Sequence, residues 1–164
     1  MVIGQGQIAP GFELAGDDGK ALKLASLRGG PVVLYFYPKD DTSGCTLEAQ
    51  DFTALAGDFA ALGATVVGIS PDSVKDHCKF RDKYALKLRL LADEGHAVAE
   101  AYGLWVEKSM YGRKYMGVER TTLLLDAKGR VARLWRKVKV PGHAAEVLAA
   151  LREHAATRPP SAGK

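Results

Sequence analysis

The continuous apolar run Val32-Val33-Leu34-Tyr35-Phe36-Tyr37 lies between Gly29-Gly30-Pro31 and Pro38. A half-exposed strand would alternate in polarity, so this run reads as a strand covered on both faces. Thr65-Val66-Val67-Gly68-Ile69 has the same character. Between the two, Phe52, Leu55, Ala56 and Phe59 repeat at helical spacing up to Gly63, and a second helix opens at Ser70-Pro71-Asp72-Ser73 and runs to about Tyr84. Strand, helix, strand, helix predicts parallel pairing, because parallel neighbours need a long crossover.

The flanks extend this α/β core. Phe12-Glu13-Leu14-Ala15 and Ala21-Leu22-Lys23-Leu24 surround Gly16-Asp17-Asp18-Gly19 as an N-terminal β-hairpin. A short strand is expected at Leu88-Leu91, a small helix from His96 to Tyr102, and an irregular excursion from Met110 to Gly117. Thr121-Thr122-Leu123-Leu124-Leu125 and Val131-Ala132-Arg133-Leu134-Trp135 flank Asp126-Ala127-Lys128-Gly129 as an antiparallel hairpin. A closing helix runs from Gly142 to about Ala155, with Val147, Leu148 and Leu151 on one face. This order is that of a thioredoxin-like α/β domain over residues 1–156, a central mixed sheet flanked by helices with an added N-terminal hairpin, followed by a flexible tail over 157–164.

Composition narrows the function. Of 164 residues, 47% are apolar and 26% charged, enough for one core. No apolar run reaches the length of a spanning helix and the N-terminus lacks a signal-peptide pattern, so a cytoplasmic protein is expected. The net charge of +4 is scattered among acidic residues, which reads as a solvated surface and not as a nucleic-acid or membrane face. His77, His96, His143 and His154 show no paired ligand spacing with the two cysteines, so neither a metal nor another cofactor is expected. Gly4 and Gly6 do not form a dinucleotide loop, since no strand precedes them. Two cysteines do not make a disulfide scaffold; in a reducing compartment they are catalytic, redox-active or incidental.

Cys45 is the chemically pointed residue. The strand ends at Pro38, Thr42 and Ser43 are good helix caps, and Cys45 falls in the first helical turn, where unpaired N–H groups and the helix dipole favour an anion. Nucleophilic attack needs a sulfur anion and donors for the charge that grows on the departing atom. Thr42 can aim its hydroxyl at the sulfur or at the group it attacks, or serve as a plain cap. Pro38 restricts the loop and removes a donor. Glu48 reads equally as a brace of the first turn or as a solvated helix glutamate, and spacing alone makes Arg120 an ordinary strand-end arginine.

Pro38, Thr42 and Cys45 at these spacings resemble the active-site signature of the peroxiredoxins, thiol-dependent peroxidases. Ala9-Pro10-Gly11-Phe12, Gly68 to Ser73, Tyr111 to Gly117 and Arg120-Thr121-Thr122 are similar to the bacterioferritin-comigratory, or PrxQ-type, subfamily over residues 1 to about 155. The resemblance implies an enzyme that reduces hydrogen peroxide and organic hydroperoxides through a Cys45 sulfenic acid, with Arg120 reaching the same pocket to hold the thiolate and polarise the peroxide.

Many members of the subfamily resolve that acid with a cysteine five residues on, where this chain has Gln50. Cys78, on the second helix, is the intramolecular alternative and lies where another subset places its resolving cysteine. Val74, His77, Phe80, Arg81 and Tyr84 share one arc of that helix, with Cys78 at its edge; there it either resolves or merely fills a small gap. A Cys45–Cys78 disulfide would require local unwinding and would be recycled by thioredoxin or a similar dithiol, and it is compatible with a monomer. The alternatives are a one-cysteine peroxidase served by an external thiol and a redox-sensing interaction protein without turnover. A disulfide oxidoreductase is disfavoured because no Cys-x-x-Cys occurs. A cysteine hydrolase would need a histidine near Cys45; His77, His96 and His143 read instead as surface or helix-terminal residues.

Overall fold

The structure is a computed structural model that describes residues 2–157. The elements are β1 (Glu13–Gly16), β2 (Ala21–Lys23), a short 3-10 helix (Leu24–Leu27), β3 (Val32–Phe36), α1 (Ser43–Ala54), α2 (Ala56–Ala61), β4 (Thr65–Ser70), α3 (Val74–Tyr84), β5 (Arg89–Ala92), α4 (Ala97–Ala101), β6 (Trp105–Met110), β7 (Arg113–Val118), β8 (Thr121–Leu125), β9 (Val131–Trp135) and α5 (His143–Thr157). Seven strands form one mixed sheet in the order β2-β1-β5-β4-β3-β8-β9, and β6 and β7 form a separate ribbon. The thioredoxin-like arrangement expected from the sequence is present. β3, β4 and β5 run parallel, β8 lies antiparallel to β3, and the N-terminal hairpin joins the sheet through β1 and β5.

Every residue of β3 and β8 is buried, as the unbroken apolar runs require. Val32, Leu34 and Phe36 point into a core shared with α4 and the N-terminal segment, whereas Val33, Tyr35 and Tyr37 point into a second core under α1, α2, α3 and α5. That alternation follows from the two-residue period of a strand. Register then fixes the site: Phe36 pairs with Ile69 of parallel β4 and with Thr121 of antiparallel β8. The chain leaving β3, the chain leaving β4 and the residue entering β8 therefore meet at one end of the sheet.

Three details depart from the sequence reading. The first helix breaks at Leu55, whose N–H turns back to the Phe52 carbonyl, and the bend brings the rings of Phe52 and Phe59 to 5.8 Å. The excursion at Met110 to Gly117 belongs to a paired ribbon over β6 and β7, turned by Tyr111 (φ 53°) and Gly112 (φ 77°); its strands are mostly exposed, so no buried face announced them. Thr157 closes α5, and the rest of the expected tail lies outside the described residues.

Candidate active site

α1 begins just beyond β3, and Cys45 is its third residue. Thr42 occupies the N-cap position with extended backbone, but its hydroxyl does not cap the helix; it donates instead to the Lys39 carbonyl at 2.8 Å. The first-turn N–H groups are thus left without a side-chain partner, and the Thr42 oxygen keeps its acceptor lone pairs. Pro38 is half-buried at the end of the strand, and Cys45 is 1% exposed.

Arg120 immediately precedes Thr121, so the β3–β8 register delivers it to the same sheet end. Its Nη2 donates to Cys45 Sγ at 3.3 Å and its Nη1 donates to Glu48 Oε1 at 2.6 Å. A fixed positive charge at hydrogen-bond distance favours an anion on sulfur. Gly44 permits this approach, because a Cβ there would lie 3.3 Å from Arg120 Nη2.

Glu48 is the neighbour of Cys45 whose place spacing left undecided. It shares one helical stripe with Cys45, Ala49 and Phe52, and all four are buried. Burial pushes its carboxyl up to about 7, against the opposing charge and hydrogen bond of Arg120. Its Oε2 and the hydroxyl of Tyr35 below are buried without hydrogen-bond partners. Lys108, half-buried on β6, senses the same group: burial and the charge of Arg120 push its pKa down, while Cys45 and Glu119 oppose that shift.

Cys78 is not bonded to Cys45. Both thiols are free, and Cys78, partly exposed on α3, donates to the Asp17 carbonyl at 3.1 Å in the β1–β2 turn. His77 overturns its reading as a surface or helix-terminal residue: it lies inside α3 and is 0% exposed. The ring is held between Asp40 and the Leu91 carbonyl. His143 and His96 do sit at helix starts, the former buried with Nε2 2.8 Å from Thr122 Oγ1 and the latter stacked on Trp105. Among the described residues, none of the three histidines is hydrogen-bonded to Cys45. The one group there that clusters metal-ligating atoms is Asp40, Asp72 and His77, and neither cysteine belongs to it.

Residues 5–134 match the AhpC/TSA family. The chain is 49% identical over 153 residues to Peroxiredoxin Bcp of Bacillus subtilis, covering 93% of this chain and 98% of that protein. It is 39% identical over 150 residues to Peroxiredoxin Bcp of Escherichia coli, covering 92% and 96%. Among solved structures it is similar to the bacterioferritin comigratory protein of Xanthomonas campestris, a structure described for alkyl peroxide reduction. That match has a TM-score of 0.84 and 44% identity, covering 88% of this chain and 92% of the other.

Proposed function

This chain belongs to the AhpC/TSA family as a peroxiredoxin of the Bcp type, and from that membership we propose that Cys45 is its peroxidatic nucleophile, Arg120, Thr42 and Pro38 its supporting residues, and Cys78 its resolving thiol. The observation that carries the reading is the Arg120 fork, which spans Cys45 Sγ and Glu48 Oε1 inside a site almost closed to water.

The substrates proposed are hydrogen peroxide and organic hydroperoxides. The Cys45 thiolate attacks the terminal peroxide oxygen, the S–O bond forms, and the O–O bond breaks as its electron pair leaves with the second oxygen. That oxygen takes up a proton and departs as water or alcohol. Sulfur has lost two electrons and is a sulfenic acid. Arg120 and the first-turn N–H groups stabilise the charge passing between the oxygens, Thr42 accepts a hydrogen bond from the peroxide O–H on its free lone pairs, and Pro38 shapes the loop.

Cys78 then attacks Cys45 sulfur. The S–S bond forms and hydroxide leaves, combining with the thiol proton as water. Because Cys78 is engaged with Asp17, the first turn of α1 and part of α3 must open for the sulfurs to meet. Thioredoxin or a similar dithiol reduces the bridge by two successive exchanges and is itself oxidised. With both thiols in one chain, the monomer suffices, and the proposed compartment is the cytoplasm, where such reductants are kept reduced.

Cys45→Ser and Cys78→Ser assayed side by side, with mass spectrometry of peroxide-treated protein, test this reading. We expect no turnover in the first, and in the second either a single round or dependence on added small thiols. A wild-type protein that turns over with thioredoxin but never shows the Cys45–Cys78 bridge would assign resolution to an external thiol.

A further inference from the structure

His77 is the fully buried histidine next in sequence to Cys78, and the peroxidase chemistry makes no use of it. Its Nδ1 lies 2.6 Å from Asp40 Oδ2 and its Nε2 lies 2.9 Å from the Leu91 carbonyl. A carbonyl only accepts, so Nε2 carries a proton. The atom facing Nδ1 is a carboxylate oxygen, so the pair is held by a second proton, as a doubly donating imidazolium against an anion. Tyr37 donates its hydroxyl to Asp40 Oδ1 at 2.6 Å, and the Asp40 N–H donates to Asp72 Oδ2 at 2.8 Å, where Ser70 also donates. The ligating atoms of Asp40, Asp72 and His77 are thus already committed to hydrogen bonds, and the cluster is a network and not a metal cradle.

The network joins two parts of the chain that the proposed opening would separate. Asp40 lies between Pro38 and Thr42, in the loop that sets the start of α1, and His77 lies on the helix that carries Cys78. One residue beyond, Asp41 sits at φ 59° and accepts from Lys83 Nζ at 2.8 Å and Tyr84 Oη at 2.6 Å. That second tie is exposed and contributes little; the buried one bears the connection.

We propose that His77 is a positioning residue that, acting through Asp40, clamps the Pro38–Thr42 loop onto α3 and thereby sets how fast the oxidised site opens for Cys45 and Cys78 to meet. The opening step rests on the Cys78 reading above; the clamp itself does not. While closed, the clamp holds Thr42 and the first turn of α1 in place for attack. After oxidation it prolongs the life of the sulfenic acid and exposes it to a second peroxide, which converts it to sulfinic acid.

The test compares wild type with His77→Asn and Asp40→Asn in the full chain, each reduced, mixed with hydrogen peroxide, quenched with acid and read by mass spectrometry. Loss of one charge-assisted hydrogen bond from the closed state corresponds to roughly a tenfold to hundredfold change in opening. Disulfide formation should accelerate by that factor, and the sulfinic fraction at excess peroxide should fall. A folded variant that partitions as wild type does, or hyperoxidises more readily, overturns the proposal.

Amide exchange over residues 38–45 of the reduced wild-type protein supplies a readout independent of Cys78 and of any variant's folding. Asp40, Asp72 and Tyr37 are the titratable groups that face the ring; against the lowering effect of burial, Asp40, the Leu91 carbonyl and Asp72 hold its pKa above the ordinary histidine value. The clamp therefore holds just on the acid side of that raised value, where the ring is doubly protonated, and loosens as pH rises through it. Exchange corrected for intrinsic rates should quicken along that rise. A flat profile overturns the clamp, whereas a missing Cys45–Cys78 bridge overturns only the opening step and the Cys78 reading.

Discussion

Replacing Glu48 by Gln should change how stability depends on pH. The Glu48 carboxyl is raised by burial from 4.5 to about 7 in the folded protein, so between those values the folded state holds a proton that the unfolded chain has released. Stability therefore falls as pH rises through this window. Each unit of displacement corresponds to about 1.36 kcal/mol, which makes the whole effect roughly 3 kcal/mol. About 2.4 kcal/mol of that falls between pH ~5 and pH ~7.5 by the same linkage relation. Gln keeps the shape and an oxygen for Arg120 Nη1 but has nothing to ionise.

Urea unfolding of both proteins at a series of pH values, with both cysteines kept reduced, measures the effect. Titrating groups far from Glu48, His77 included, act on both proteins and cancel when the two curves are subtracted. The difference should drift in favour of the Gln variant by about 2 kcal/mol from pH ~5 to pH ~7.5 and then level off. Parallel curves would mean that Glu48 ionises in the folded state as it does in the unfolded chain, and the picture of a half-paired carboxylate beneath the sulfur would be wrong.

Arg120→Lys keeps the charge but loses the fork that spans sulfur and Glu48, so peroxide attack measured as kcat/KM should drop by roughly a hundredfold; a rate within a few-fold of wild type would deny the fork its role. Gly44→Ala should have opposite effects on two readouts: Ala favours the helix by up to ~1 kcal/mol, yet its Cβ, at 3.3 Å from a guanidinium fixed at both ends, displaces Arg120. Thermal stability should hold or rise while attack slows, and a gain in both would refute this. Gly68→Ala places a Cβ 2.8 Å from the Tyr35 ring, which is stacked on Phe52 and Tyr37. It should cost about 1–3 kcal/mol in denaturant unfolding, and a neutral result would show that the stack has room to shift.

How much of this was legible varied with the distance over which the information is encoded. β3, β4 and β8 showed in the sequence because strands buried on both faces leave unbroken apolar runs. The place of Cys45 in a first helical turn showed because a strand end, cap residues and a thiol lie within a few positions of one another. The position of Glu48 was readable in part, since residues 45, 48, 49 and 52 form one helical stripe, but the pairing that explains its burial comes from Arg120, 72 residues away. His77 sat on the arc that Phe80 also occupies, which hinted at burial, whereas its partner Asp40 lies 37 residues earlier and only the folded sheet brings them together. β6 and β7 were not read as strands because most of their residues are exposed and their burial does not alternate.

The site therefore depends on register as much as on its own residues. Arg120 reaches Cys45 because Thr121 lies opposite Phe36, and Asp72 reaches Asp40 because Ile69 lies beside Phe36. A slip of one residue between β3 and β8 would move Arg120 by about 3.3 Å and turn it to the other face of the sheet. Both faces of these strands are packed, so such a slip would also expose one core and crowd the other. Packing deep in the sheet consequently fixes the charge at the sulfur. A substitution that strains the sheet, such as Gly68→Ala, should slow peroxide attack even in the fraction of protein that remains folded, whereas one on the solvated β6–β7 ribbon tip at Tyr111 should leave that rate unchanged.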